Sequence, residues 1–343
     1  MPRRATAQFT FVFCVAVFAM AGEHRARAQA DCPQSLIIYH AGSLTAAFTP
    51  IEKLFTQQTG TCITDVAAGS LDAARRVTAG QEPADIFATA DDVDIDVLLK
   101  PSWFAGYNIV FAQGGMVLAY TTSSHNAASI ADAGTPLSPP NSIPSVAADW
   151  YDQLTQPGVL IGGSNPFLDP SGYRADMIFQ LAAQRYAMPA LYNALLEHYT
   201  ISRTTDVLGA NYDYTFTYEH SAAAAYRANP STYRYAKLPD AVGLSSSDPG
   251  LHYNTASTVV PGLGLPGTAP HVRIPATRVA WGVTILRTAP HYDAAIQFLQ
   301  LLFSPQGVAL QSASGPAPIS PPIVSAPDYD HLSDALKPLV SKQ

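Results

Sequence analysis

Cysteine, charge and long apolar runs are all scarce in this sequence, and each shortage excludes something. Three cysteines, Cys14, Cys32 and Cys62, stand without a matching histidine pair, so they make no zinc site. Charged residues amount to 13% of the 343. The apolar run from Phe9 to Gly22 is too short, with its flanks, to span a membrane. Catalytic signatures are missing too. No serine has a G-x-S-x-G surround, and there is no Walker loop or H-E-x-x-H. The nine histidines are scattered with no i, i+4 pair. Nothing assembles a nucleophile with a base, which argues against an exported hydrolase.

What is present begins with an export signal. Arg3 and Arg4 precede the apolar run, and Ala28-Gln29-Ala30 has the small-x-small pattern of a cleavage site. No cysteine stands at that site to carry a lipid. Residues 1–30 are therefore expected to be a signal peptide, cleaved near Ala30, with the mature chain released in soluble form to the periplasm. They contain four Arg and one Glu, so the mature chain keeps 15 of 19 basic and 25 of 26 acidic residues, a net charge of −10. That balance argues against nucleic acid and anionic membranes as partners. Any anion would have to be held by local dipoles. Cys32 and Cys62 each lie just ahead of an expected strand, and the exported compartment permits a disulfide between them. The apolar content of 48% and the length allow two domains, and 22 glycines with 28 prolines imply many turns.

One turn design recurs. An expected strand, residues 35–39, runs into Ala41-Gly-Ser-Leu44 and a helix; a second, residues 63–67, runs into Ala68-Gly-Ser-Leu71 and another helix. Each turn sets a glycine (Gly42, Gly69), a serine expected to cap its helix (Ser43, Ser70) and free N–H groups at the carboxyl end of a strand. Open α/β sheets bind ligands there. A third helix start lies in Gly163-Ser-Asn-Pro-Phe-Leu-Asp-Pro-Ser-Gly-Tyr-Arg174, with Asp169 at the N-cap and Pro170 at the first helical position. A helix N-terminus favours anions, yet this one carries a carboxylate. Residues 212–219 alternate, with Tyr212, Tyr214, Phe216 and Tyr218 on one face and Glu219 ending the strand. The tyrosines could hold a ferric ion, but a shared face reads better as core. Gly262-Leu-Gly-Leu-Pro-Gly267 matches G-x-G-x-x-G and is rejected as a dinucleotide site, because Pro266 lies inside it and no helix follows.

Taken together, His40-Ala-Gly-Ser-Leu44, Ala67-Ala-Gly-Ser70, Ala84-Asp-Ile86, Val117-Leu-Ala-Tyr120, Ser164-Asn-Pro166, Asp169-Pro170, Gly172-Tyr-Arg174, Asp213-Tyr214, Tyr218-Glu219, Leu238-Pro-Asp240 and Leu244-Ser-Ser246 resemble the archaeal-type molybdate/tungstate-binding proteins, exported receptors of ABC importers. Ser171 stands where that family often has Cys, and residues 246–277 are less similar. The resemblance implies an α/β, type II periplasmic binding protein with two lobes, each a mixed sheet flanked by helices. Residues 31–118 and 283–343 would form lobe 1 and residues 119–282 lobe 2, with the ligand between them. It implies oxyanion contacts from Ser43, Ser70, Gly42 and Gly69, with Ser164 and Tyr173 added, and metal coordination by Asp169 and Glu219. It implies no cofactor, a monomer, and an ABC permease as partner.

Two carboxylates aimed at sulfate or phosphate oxygens would be repelled and desolvated at a cost. Mo(VI) and W(VI) are larger and accept two further oxygen ligands, passing from four- to six-coordinate. The same carboxylates then reject sulfate. The alternative is a receptor of the same fold for sulfate, phosphate or ferric ion.

Overall fold

The computed structural model describes residues 35–131 and 143–343. The expected signal peptide, Cys32 and residues 132–142 lie outside the described residues.

The chain opens as a β-α-β-α-β unit: β1 (Ser35–Ala41), a 3-10 turn (Gly42–Leu44), α1 (Thr45–Thr59), β2 (Cys62–Ala68), α2 (Ser70–Val77) and β3 (Ile86–Thr89). Apolar spacing sets α1, which buries Ala47, Phe48, Ile51 and Phe55. Gly60 ends it in the left-handed conformation, φ 73°, where a side chain would be strained. Both β2 and β3 pair parallel with β1, which lies between them. The order therefore reverses direction at β1, the kind of switch point where strand ends leave a crevice.

β4 (Ile109–Gln113) belongs to the same sheet, and the Gly114-Gly115 turn leads to β5 (Met116–Thr121) in another. The second sheet takes in β6 (Ile161–Gly163), β7 (Tyr199–Ile201), β8 (Tyr214–Tyr218) and β9 (Tyr233–Lys237), ordered β7-β6-β8-β5-β9. Around it lie α3 (Ala127–Ile130), α4 (Trp150–Leu154), α5 (Pro170–Arg185), α6 (Pro189–Glu197), α7 (Glu219–Ala228) and α8 (Asp240–Gly243). The alternation read in residues 212–219 is realised: Tyr214, Phe216 and Tyr218 are buried while Thr215 and Thr217 are half-buried. The face is core, with Phe216 edge-on to Trp150 at 6.0 Å and to Phe179 at 5.4 Å. Asp213 ties this strand to its neighbours. Burial pushes its carboxyl up, but the N–H groups of His125 and Leu160 and the His125 ring outweigh that and hold it below the usual range.

Residues 246–277 contain a separate hairpin, β10 (Ser257–Pro261) and β11 (His271–Pro275), antiparallel. The rejected G-x-G-x-x-G is its loop. Gln180 on α5 docks the hairpin by donating to the Ser257 carbonyl (3.0 Å) and accepting from its N–H (3.1 Å).

The chain then rejoins the first sheet. β12 (Ala280–Ile285) inserts antiparallel between β3 and β4, and α9 (Tyr292–Leu302) and α10 (Pro305–Ser314) follow. The Phe298 ring on α9 packs on Phe48 at 6.0 Å and Phe55 at 5.5 Å. The Pro-rich end of the chain is regular structure. Residues Ala317–Val324 form β13, antiparallel to β4. The register slips between Pro318 and Ile323, so Pro321 and Pro322 fall in the interruption, where the ladder asks no donor of them. After α11 (Ala326–Tyr329), a 3-10 turn and β14 (Ser341–Lys342) close the seven-stranded sheet, ordered β14-β13-β4-β12-β3-β1-β2.

Candidate functional site

The turns after β2 and β3 face the start of α5 on the other lobe, and the two lobes touch there. The α2 N–H groups of Leu71 and Asp72 donate to the Leu168 carbonyl at 3.1 and 3.2 Å. A Cβ at Gly69 would run into that carbonyl oxygen and approach Asp169 Cβ at 3.1 Å, so this close approach requires glycine. Gly42 is exposed and under no such constraint. A clasp lies beside the contact: Arg75 on α2 donates to the carbonyls of Phe167 (2.7 Å), Pro261 (2.7 Å) and Gly262 (3.2 Å). Arg75→Ala should leave the ligand-free protein more open, with a larger radius of gyration in X-ray scattering. Affinity for a ligand that closes the lobes should fall on the order of tenfold, about one charge-assisted hydrogen bond. An unchanged scattering profile would rule out the clasp.

The serines differ from the capping role expected of them. Ser43 sits in the 3-10 turn and Ser70 is the first residue of α2, with Gly69 at the N-cap position. Each hydroxyl instead accepts an N–H: Ser43 Oγ from Trp281 Nε1 at 3.0 Å, and Ser70 Oγ from the Ala90 backbone at 3.1 Å. An N–H fills one lone pair and leaves the hydroxyl proton to donate elsewhere. Both serines are thus set as donors, and Ser70 is fully buried.

Asp169 is the N-cap of α5, as expected, with Pro170 after it. Its Oδ1 accepts from the Ser171 N–H (2.8 Å) and the Ser171 hydroxyl (2.6 Å), which also lies 3.0 Å from Ser164 Oγ. Oδ2 has no hydrogen-bond partner among the described residues. Burial raises the carboxyl above its ordinary range, against the pull of the two Ser171 bonds. Ser164, Ser171 and Asp169 therefore form one polar group beside Gly69.

Tyr173 and Arg174 continue α5 into the lobe interface, and both are fully buried. The Tyr173 phenol donates to Asp91 Oδ2 at 2.8 Å and lies 3.1 Å from Asp94 Oδ1, so it meets carboxylates following β3. Arg174 Nη2 pairs with Asp91 Oδ2 at 3.1 Å, while Nε and Nη2 lack an aligned hydrogen bond. Burial, opposed by Arg174, leaves Asp91 above the usual range; burial and the Asp91 charge push Asp94 well above it. Tyr218 borders this cluster. Its buried hydroxyl has no hydrogen-bond partner among the described residues, its ring packs on Trp281 at 5.0 Å, and Asp169 and Arg174 both act on it electrostatically. His220 Nε2 donates to the Ser43 carbonyl at 3.0 Å, and burial holds the ring's pKa down, so it adds no cation.

Glu219 follows β8. It opens α7, its N–H donates to the Gly115 carbonyl at 3.0 Å, and its charge acts on Tyr235. No hydrogen bond, ion pair or electrostatic interaction joins it to Asp169 among the described residues, and its carboxylate has no hydrogen-bond or ion-pair partner. Trp281 and Asp91 escaped the sequence reading, and Ser171 was noted without a role. Asp91 opens the acidic run Asp91–Asp96, and its partners Tyr173 and Arg174 lie more than eighty residues away.

The sequence profile described as bacterial extracellular solute-binding protein matches residues 36–315. The chain belongs to this family. An uncharacterized solute-binding protein of Petrotoga mobilis is 32% identical over 320 residues, covering 90% of this chain and 91% of its own. The molybdate/tungstate-binding protein WtpA of Pyrococcus abyssi is 28% identical over 339 residues, 89% of each chain. The sulfate-binding protein SubI of Mycobacterium tuberculosis superposes with a TM-score of 0.57 at 17% identity, covering 90% of this chain and 93% of that one, a likeness of fold. The fold is that of type II periplasmic binding proteins. As a family member the chain is a solute-binding protein of ABC transport, periplasmic and not an enzyme. No helix of the described residues is long and apolar enough to cross a membrane.

Proposed function

We propose that this solute-binding protein captures molybdate or tungstate between its lobes and hands the oxyanion to the permease of an ABC importer. The observation that carries the reading is the pair of serines. Trp281 and Ala90 fill an acceptor position on Ser43 and Ser70, leaving two hydroxyl donors at the strand ends, the second next to Gly69, which lies against a half-buried aspartate with a free oxygen. Sulfate would gain from the hydroxyls and be repelled by the carboxylate. An oxyanion whose metal can expand its coordination uses both. In this reading Ser43, Ser70 and Ser164, with the backbone around Gly42 and Gly69, hold oxo groups, and Asp169 Oδ2 bonds the metal. Glu219, with no hydrogen-bond or ion-pair partner of its own, supplies the sixth ligand as the lobes close. Tyr173 acts from the interface, holding Asp91 against Arg174. The relative named molybdate/tungstate-binding, at 28% identity over most of both chains, supports the ligand class.

The mature chain is proposed to act as a monomer after signal-peptide removal, with Cys32 bonded to Cys62, and to have its lobe boundaries near residues 118 and 282. Calorimetric titration of ligand-stripped mature protein tests the ligand. Tight one-to-one binding of tungstate and molybdate, with sulfate silent, is the expected result. Tight sulfate binding would reduce Asp169 to a helix cap and overturn the reading.

A further inference from the structure

Away from the cleft, three ligand-type side chains converge where α1 covers the first sheet. His40 is on β1. Asp65 is on β2 and pairs in register with Ile38, two residues before His40 and on the same face. Glu52 comes from α1. One ligand atom from each lies within 4.8 Å of the other two. His40 is wholly buried and Glu52 is 9% exposed, whereas the Asp65 side chain is 32% exposed and opens the group to solvent.

Their donor chemistry is unbalanced as it stands. His40 Nδ1 lies 2.7 Å from the Ala41 carbonyl, a contact that needs an N–H there. Nε2 therefore faces the carboxylates, 2.5 Å from Asp65 Oδ1. Among the described residues neither Nε2 nor Glu52 Oε1 has an aligned hydrogen bond, and both atoms are buried. A second proton on the imidazole can serve one carboxylate, leaving the other buried and unmet. A divalent cation would serve all three. The outer N–H to a backbone carbonyl is also the usual way a metal-bound imidazole is oriented.

We propose that His40, Glu52 and Asp65 form a binding site for one divalent transition-metal cation of the zinc type, reached past Asp65. Nitrogen and oxygen donors without thiolate suit zinc, cobalt or manganese rather than copper(I). Donors at about 2.0–2.2 Å from a metal lie roughly 3.3–3.5 Å apart in a tetrahedral site, so the Nε2–Oδ1 contact opens and the Glu52 carboxylate moves in, with solvent in the fourth position.

The test uses mature protein stripped with a chelator, kept free of oxyanion and titrated calorimetrically with zinc chloride. One zinc per chain is expected, with a melting temperature that rises with zinc. Glu52→Gln and Asp65→Asn should each weaken binding at least 10- to 100-fold, the range that changes even outside the ligand set produce. Asp169→Ala should leave zinc binding unchanged, which separates this site from the cleft. Wild-type protein that takes up no zinc would overturn the proposal, and so would uptake undiminished in both Glu52→Gln and Asp65→Asn.

Discussion

Asp169→Asn is expected to abolish high-affinity tungstate capture while leaving the protein as stable as before. Asparagine caps a helix about as well as aspartate, so the Ser171 N–H keeps its acceptor and α5 keeps its start. What is lost is the anionic oxygen offered to the metal. A drop of more than about 100-fold is expected, since changes outside a metal's ligand set already cost 10–100-fold. Asp169→Ala should lose the binding and also about 1 kcal/mol of stability with the cap. The pair of variants separates the two jobs of one side chain, and Asp169→Asn that still bound tungstate tightly would remove the coordination role.

The pH dependence follows from the same carboxyl. Burial raises its pKa in the ligand-free protein, so folding favours the protonated form. Its contribution to stability is full below the ordinary aspartate pKa and is lost as pH rises through the folded value. Coordination needs the ionised form. Tungstate affinity should therefore weaken on acidification, beginning at a higher pH than an exposed aspartate would dictate. Titrations at a series of pH values read this directly.

Arg174→Met should cause a large loss of stability. Arg174 and Asp91 are both buried, 0% and 1% exposed, and methionine keeps the packing while leaving the carboxylate without its cation. Breaking such a pair from one side costs about 3–5 kcal/mol. In a chain of this size that lowers the melting temperature by roughly 10 °C. The loss should grow with pH. Asp91 and Asp94 sit above the ordinary carboxylate range, so at low pH they take protons in place of the missing guanidinium, while at higher pH they must be buried ionised. Denaturation at pH 5 and pH 8 compares the two conditions. A cost that does not change with pH would mean that Arg174 matters for packing and not for charge.

Local rules made much of this molecule legible. Strand-turn-helix repeats, the Asp169-Pro170 helix start and the alternation through Tyr218 depend on neighbours within a few residues, where backbone sterics and side-chain period decide. The hairpin of residues 257–275 and the strand at 317–324 were not legible that way. One depends on docking to Gln180, the other on a register slip against β4.

By itself, then, the sequence determined the family, the class of fold, the order of the first parallel unit and the residues that crowd the strand ends. Tertiary structure alone decided what those residues do there. Ser43 became a donor because Trp281, more than two hundred residues on, occupies its lone pair. Gly69 became indispensable because Leu168 of the other lobe lies against it. The Asp91 run became an interface because α5 brings Tyr173 and Arg174 to it. Charge, hydroxyl direction and burial are properties of groups meeting across the chain, and no local period encodes which distant group will be met.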